Sequence, residues 1–313
     1  MDPLSRLIKL VRPQASLDLR CLLGGAFSIQ HEQEAEGVVP FHLVLSGTCV
    51  IETKGSKPLI LEAGDFVLYP NGGAHLVRDN LGGSKPIKST LKDDGDFLPV
   101  RSNGKGAINA DLLCGRFLCE RGSAALLFGT LPDPLHISLA RSHPLLALQT
   151  LVALIRDEAD SKNSGALAIV TSLSQALLVM ALRIYGEHQS DVPNILTLLT
   201  DSRLSASIQA LMIAPGHQWT IAELGARAAM SRATYARHFK AKAGMTVSEF
   251  LSHVRMATAS ALLLHTKRNA GDIGMEVGYQ SEAAFGKAFR INTGFTPGRY
   301  RQQLQENIAA NQK

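Results

Sequence analysis

Ser231-Arg232-Ala233-Thr234-Tyr235, continuing to Phe239, Gly244 and Thr246, returns fifty positions later as Ser281-Glu282-Ala283-Ala284-Phe285, continuing to Phe289, Gly294 and Thr296. Repetition at a fixed offset marks a duplicated structural unit. Each copy reads as a helix, a tight turn and a second helix, the arrangement that lays one helix in a DNA major groove. In the first copy Thr220 and Glu223 form a capping box, and Ile221, Leu224 and Ala228 give an apolar stripe at helical spacing. Ala229-Met230 makes the turn. Ser231 caps the next helix, whose inner face carries Tyr235 and Phe239, and Gly244 ends it. The second copy runs from Asp272 to Ser281, with Gly278 in a turn one residue longer. Gly225 and Gly274 hold equivalent places, where a missing side chain lets two helices cross closely.

Between the copies Thr246 and Glu249 make another capping box, and Phe250, Leu251, Val254, Ala257, Ala261 and Leu264 share a face. A helix from Thr246 to Leu264 spans roughly 28 Å, close to the roughly 34 Å of one turn of DNA. Two recognition helices so spaced reach successive major grooves. Charge agrees. Residues 195–313 hold 14 Lys+Arg against 7 Asp+Glu, a net of +7, whereas residues 1–194 hold 18 against 20. The positive charge sits in the repeat region, as phosphate binding requires.

Gly278-Tyr279-Gln280-Ser281-Glu282-Ala283-Ala284-Phe285, Phe289-Arg290, Gly294-Phe295-Thr296-Pro297 and Tyr300-Arg301 resemble the second helix-turn-helix of AraC-type transcription regulators. The resemblance runs from near Leu196 to Arg301. It implies that the exposed faces of both recognition helices touch double-stranded promoter DNA: Arg232, Ala233, Ala236, Arg237 and Lys240 on the first, Glu282, Ala283, Gly286, Lys287 and Arg290 on the second. Arg237 is the expected base contact, since Arg reads guanine bidentately. Arg232, Lys240, Lys287 and Arg290 are expected on phosphates. Ala and Gly at several groove-facing places touch a thymine methyl at most. Tyr235, Phe239, Phe285 and Phe289 are expected in the core.

A chain of 313 residues suggests two domains. The expected division is a sensor and dimerisation domain over 1–190 and a DNA-binding domain over 195–313. Met1-Asp2-Pro3-Leu4-Ser5-Arg6 lacks the pattern of a signal peptide. The most apolar stretch, Leu173 to Ile184, is interrupted by Ser174, Gln175 and Arg183 and is short for a bilayer span. A cytoplasmic protein with no membrane association follows, so Cys21, Cys49, Cys114 and Cys119 are expected reduced. None forms a CxxC pair, so a zinc or thioredoxin-like site of that kind is not indicated.

Residues 20 to 130 read as short strands separated by Gly and Pro turns, which suggests a sandwich or barrel. Val38 to Gly47 is one strand and Cys49 to Thr53 the next. From Gly64 to His75 the order glycine, five residues, proline, one residue, glycine, two residues, histidine follows the second motif of the cupin barrel. The first cupin motif is poor: His42 stands alone, with Val44 where a second histidine belongs. The expected class is α+β, a cupin-like barrel with a two-helix segment and then an all-α domain with two helix-turn-helix motifs. Metal cupin enzymes use about three histidines and a carboxylate. With His42 and His75 alone, neither an enzyme nor a bound metal or other cofactor is expected, and the pair marks an effector pocket. The N-terminal barrel of AraC-type regulators is itself cupin-like and binds an effector, so both halves resemble one family.

Asp79 to Ile108, rich in Gly, Asp and Ser, reads as a surface loop. Two helices follow. Ser142 caps the first, with Leu145, Leu148, Leu151, Val152 and Ile155 as its stripe, and the second runs from about Ala166 to Tyr185. Such a pair covers the barrel or dimerises; the resemblance implies a homodimer, and RNA polymerase as a partner if the protein is an activator. Glu187 to Asn194 reads as an interdomain linker.

Met1 to Leu7, Cys21-Leu22-Leu23-Gly24 and Cys114-Gly115 resemble the oxidant-responsive subgroup of these regulators. The resemblance implies that Cys21 and Cys114 sense oxidants such as hypochlorous acid. Arg20 and Arg116 lie close in sequence, and a nearby cation lowers a thiol's pKa. Oxidation to a sulfenic acid and then a disulfide is a reversible switch. Cys49 and Cys119 are expected to pack inertly. Two alternatives stand beside it: a small molecule or metal bound near His42 and His75, and a metal cupin enzyme joined to a DNA-binding domain.

Overall fold

A computed structural model describes residues 1–80, 85–93, 95, 97–104, 106–120, 122–138, 146–161, 163–188 and 192–302. Among these the elements run α1 (Pro3–Val11), β1 (Gln14–Leu23), β2 (Ser28–His31), β3 (Val38–Thr53), β4 (Leu59–Glu62), β5 (Asp65–Leu68), β6 (His75–Arg78), β7 (Thr90–Lys92), β8 (Val100–Ser102), β9 (Ala110–Leu118), α2 (Ala124–Phe128), β10 (Leu135–Ser138), α3 (Leu146–Ser161), α4 (Ala166–His188), α5 (Ile195–Thr200), α6 (Ser205–Ile213), α7 (Ile221–Arg227), α8 (Arg232–Ala243), α9 (Val247–His265), α10 (Ala270–Glu276) and α11 (Glu282–Thr293). The architecture is the expected α+β one, a curled sheet followed by helices.

Packing divides the chain into two compact units. One comprises residues 13–118 and 132–185, the other 1–12, 119–131 and 186–313. The expected boundary near 190 follows the sequence linearly. Packing instead gathers the first helix and the α2 segment with the C-terminal helices.

In the β unit the strand order is β10-β5-β3-β9-β1-β8-β7, with β4 and β6 also on β3 and β2 on β6. The expected two strands from Val38 to Thr53 are one strand of 16 residues. Its register against β9 shifts between Val44 and Ser46. Gly47 bends the strand there at φ +77°, where a Cβ would lie 1.9 Å from the carbonyl oxygen of Asn109. The glycine thus sits beside a bulge at Leu45 and within the strand rather than at its end. The expected loop from Asp79 to Ile108 likewise contains β7 and β8, and β8 runs parallel to β1. Alternation along β1, β3 and β9 turns Cys21, Leu23, Val44, Cys49, Ile51, Leu112 and Cys114 into one apolar core with Tyr69 and Val77. Both helices that follow lie against this sheet. Arg156 donates to the Leu45 carbonyl, Asp160 pairs with Arg20 at 2.7 Å, and Gln175 accepts from the Ala15 amide at 3.1 Å. Ser142 and Leu145, expected to open α3, lie outside the described residues. The 23-residue α4 is longer than the apolar stretch noted in the sequence, and long and apolar enough to cross a membrane. A third of that window is buried in this fold, and Gln175 on it binds β1.

The helical unit holds both repeats. Capping boxes form at Thr220/Glu223 and Thr246/Glu249, and Ser231 and Ser281 cap α8 and α11. Gly244 and Gly294 end those helices at φ +73° and +78°. Tyr235, Phe239, Phe285 and Phe289 are fully buried. A Cβ at Gly225 would meet the Met230 carbonyl oxygen at 2.9 Å, and one at Gly274 the Phe285 side chain at 2.8 Å. Close helix crossing is therefore the reason for glycine at both places. The described part of the expected linker is docked: Asn194 is buried, caps α5 and donates its amide to the Lys242 carbonyl. Leu7 and Val11 of α1 are buried in the same unit.

The turns of the two repeats differ in one residue that carries a test. Gly278 sits at φ +93° and its counterpart Ala229 at φ +51°. The left-handed region costs an L-residue about 1–2 kcal/mol, part of which glycine returns through its freer unfolded chain. Ala229→Gly is expected to stabilise the helical unit by about 0.5 kcal/mol. Urea unfolding followed by the fluorescence of Trp219 measures it, and a destabilised variant would contradict it.

Candidate functional site

The helical unit presents two equivalent exposed faces. Caps at Ser231 and Ser281 start α8 and α11 in the same phase, so the buried aromatics turn the intervening residues outward. Arg232, Ala233, Ala236, Arg237 and Lys240 are exposed on α8. Glu282, Ala283, Lys287 and Arg290 are exposed on α11, and Gly286 is half-exposed. Arg232, Arg237, Lys287 and Arg290 make no ion pair with any described residue. Free cations on an exposed helix face are available to phosphates and base edges. The helix between the repeats covers 19 residues, Val247–His265, one residue displaced from its expected bounds.

In the β unit the expected site residues converge, and a third histidine joins them. His42 on β3 stands directly opposite Cys114 on β9. His75 on β6 stands opposite His31 on β2. Ligand-capable atoms of His31, His42 and His75 all lie within 4.8 Å of one another. His42 Nε2 is 2.8 Å from His75 Nε2, and His42 Nδ1 is 3.1 Å from Cys114 Sγ. The His75 ring is stacked between Tyr69 and His31, with centroids 3.8 and 4.6 Å away. Cys21 is the diagonal neighbour of Cys114 on the paired strand β1.

One carbonyl sets the proton order along this chain. His75 Nδ1 lies 2.7 Å from the Gly73 carbonyl oxygen, so it carries a hydrogen and donates. In the neutral ring Nε2 is then an acceptor. His42 donates to it from Nε2, which leaves His42 Nδ1 to accept the Cys114 S–H. The rings are neutral for a physical reason: burial holds His42 well below the usual imidazole range, lowers His75, and lowers His31 to about 4.

Two sequence readings are corrected here. The first concerns thiol activation. Arg20 is buried against Asp111 at 2.6 Å and Asp160 at 2.7 Å. Arg116 binds Asp18 at 2.9 Å and Glu34 at 3.4 Å. Arg20 and Cys21, adjacent on β1, face opposite ways, and both guanidiniums are spent on carboxylates. The Cys114 thiol is pushed up, first by the neighbouring Cys21 thiol and then by burial, rather than down. The second is the histidine count. His42 does not stand alone, because His31, outside either cupin motif, comes in through strand pairing. Cys49 and Cys119 pack as expected, each thiol raised to about 12 by burial. A cavity of about 690 Å³ lies in the helical unit, lined by Arg6, Lys9 and Arg12 with Met212, Leu262 and His265.

A curled cupin sheet joined to a duplicated helix-turn-helix, with cations on both recognition helices that no described residue pairs, defines a DNA-binding regulator with a cupin-like domain. Comparison with known proteins agrees. Residues 2–187 match the cupin family and residues 224–303 a helix-turn-helix domain family. The chain is 33% identical to the HTH-type transcriptional regulator MtrA of Neisseria gonorrhoeae, across 97% of this chain and 99% of that protein. It is 28% identical to the RCS-specific HTH-type transcriptional activator RclR of Escherichia coli, across 98% and 99%. The crystal structure of the AdpA DNA-binding domain with a target DNA is 26% identical over 34% of this chain and 95% of that one, with a TM-score of 0.32. The chain belongs to the AraC family of transcription regulators with an N-terminal cupin domain.

Proposed function

We propose that the β unit senses oxidants by joining Cys21 to Cys114, and that the helical unit carries that signal to a promoter. The observation behind it is the placement of the two cysteines as diagonal neighbours on the paired strands β1 and β9, since a disulfide forms only between residues that the fold already brings close. An oxidant of the hypochlorous acid class takes two electrons from one sulfur, leaving a sulfenic acid. The second thiol attacks that sulfur and expels water, forming the disulfide. The relative named RCS-specific is similar along nearly the whole chain. Arg237 reads a base, and Arg232, Lys240, Lys287 and Arg290 hold phosphates, with Ala233, Ala236, Glu282, Ala283 and Gly286 on the facing surface. The protein works in the cytoplasm as a homodimer, is not a catalyst, and contacts RNA polymerase where it activates. Leu154 on α3 and Leu167 and Ile169 on α4 remain exposed and suit a dimer contact.

Promoter output and DNA binding, compared between reduced and hypochlorite-treated protein, test the reading. Cys21→Ser and Cys114→Ser are each expected to abolish the response while leaving DNA binding by reduced protein intact. A full response in either variant would overturn it.

A further inference from the structure

We infer that His31, His42 and His75 form a binding site for a divalent transition-metal ion of the zinc class. The inference goes beyond the thiol reading and does not need it. Three imidazoles meet inside the β unit with their ligand atoms within 4.8 Å of one another. Among the described residues no carboxylate joins them, so hard oxygen-seeking cations are disfavoured and imidazole-seeking ions preferred. The ring nitrogens of His31 make no hydrogen bond with any described residue, and the half-buried ring is stacked on His75. Its lone pair is therefore available to an ion.

The surroundings are those of a ligand set. The Gly73 carbonyl fixes His75 with Nε2 facing His42, the usual outer-shell arrangement for a metal-bound histidine. Two imidazole nitrogens 2.8 Å apart share one hydrogen in the empty site. An ion bound at about 2.0–2.1 Å with tetrahedral angles places them about 3.3 Å apart, so the site opens by roughly 0.5 Å. That is within reach of side-chain rotation. Three histidines also leave a fourth position for water.

Loading changes one hydrogen bond. The ion takes the Nε2 lone pair of His42, so that ring's hydrogen moves to Nδ1, opposite Cys114 Sγ at 3.1 Å. His42 then donates to the sulfur it formerly accepted from. No proton is lost in this exchange: the hydrogen leaving Nε2 is matched by the one gained at Nδ1, and the thiol keeps its own. Cys114 is therefore a positioning residue for His42 and not a ligand.

The test uses full-length reduced protein titrated with Zn²⁺ against a chromophoric chelator, with Co²⁺ as an optical stand-in. One equivalent per chain is expected, with the visible bands of four-coordinate Co²⁺. Removing an outer-shell partner costs about 10–100-fold in affinity. Cys114→Ser is expected to fall in that range, and His31→Gln, His42→Gln and His75→Gln to lose at least about 100-fold. Cys49→Ser is the unaffected control. Far-UV circular dichroism shows whether each variant retains its sheet. For any variant that does not, zinc-induced shifts of the three histidine ring nitrogens in the ¹⁵N spectrum of the native protein decide instead. Unaltered binding in the histidine variants, sub-stoichiometric binding, or ring nitrogens that do not shift would overturn the inference. Stoichiometric zinc without a hypochlorite response would retain this site and remove the disulfide switch; the reverse pattern would do the opposite.

Discussion

Arg237→Ala is expected to weaken binding to a specific promoter by about 5–150-fold and to relax the base preference at one position of the site. A bidentate Arg–guanine contact is worth about 1–3 kcal/mol of discrimination, which that range expresses. The structure supplies the preconditions. Arg237 lies mid-helix on α8, two residues past the buried Tyr235 and two before the buried Phe239, exposed and with no ion-pair partner among the described residues. Lys287→Ala on the second recognition helix is expected to behave differently. It should weaken binding to all sequences alike and reduce the steepness of the salt dependence by about one ion. Fluorescence anisotropy with a promoter fragment and a shuffled duplex, each measured over a salt series, separates the two outcomes. If Arg237→Ala binds with unchanged affinity and unchanged preference, α8 does not read bases through this residue. Equal loss on both duplexes would make Arg237 a phosphate contact.

The helical half was legible because local signals decide it. Each cap, C-terminal glycine and buried aromatic acts within its own helix, and the fifty-residue repeat states the pattern twice. Thr220/Glu223, Thr246/Glu249, Ser231, Gly244, Gly225 and Gly274 therefore stand where the sequence put them. The α1 helix was missed as a member of that unit because nothing local in Pro3–Val11 names its distant partner.

The β half was legible only where a motif spans a single turn. Gly64 to His75 delivered His75 correctly, but His31 gave no signal. Its role depends on β2 pairing with β6 in a register that sets it opposite His75, and a strand four residues long carries too little periodicity to specify register. The reading of Arg20 and Arg116 as activators of neighbouring thiols failed for a related reason. Adjacency along a strand sets Arg20 and Cys21 on opposite faces, and the carboxylates that claim both cations, Asp111, Asp160, Asp18 and Glu34, come from elsewhere in the chain. The expectation for Cys21 and Cys114, in contrast, came through resemblance to a subgroup, and the pairing of β1 with β9 makes the two residues diagonal neighbours. Gly115 next to it has its own cause. It faces Phe41 across the β3–β9 pair, and a Cβ there would meet the Phe41 ring at 2.8 Å.

Gly47→Ala is expected to destabilise the β unit by about 2–5 kcal/mol, a large share of the roughly 5–15 kcal/mol that holds a domain folded. Two costs add. The left-handed conformation at φ +77° costs alanine about 1–2 kcal/mol. The new Cβ, 1.9 Å from the Asn109 carbonyl oxygen, must push the start of β9 away from β3, an overpacking cost of about 1–3 kcal/mol. The bond from the Thr48 amide to that same oxygen, now 3.0 Å, is strained or broken with it. Gly55→Ala is the control that separates the terms: it sits at φ +83° with nothing within 4 Å of its would-be Cβ, so it bears the backbone cost alone, about 1 kcal/mol. Urea unfolding measures both variants, with far-UV circular dichroism reporting the sheet and Trp219, the chain's one tryptophan, reporting the helical unit. Because β3 carries His42 and β9 carries Cys114, a shift at Gly47 also disturbs the histidine–cysteine cluster at the centre of the same strand pair. Gly47→Ala should therefore lose the hypochlorite response together with stability, while Gly55→Ala keeps it. Equal destabilisation by the two substitutions would show that the bulge is set by backbone preference alone and not by the close approach of β3 to Asn109.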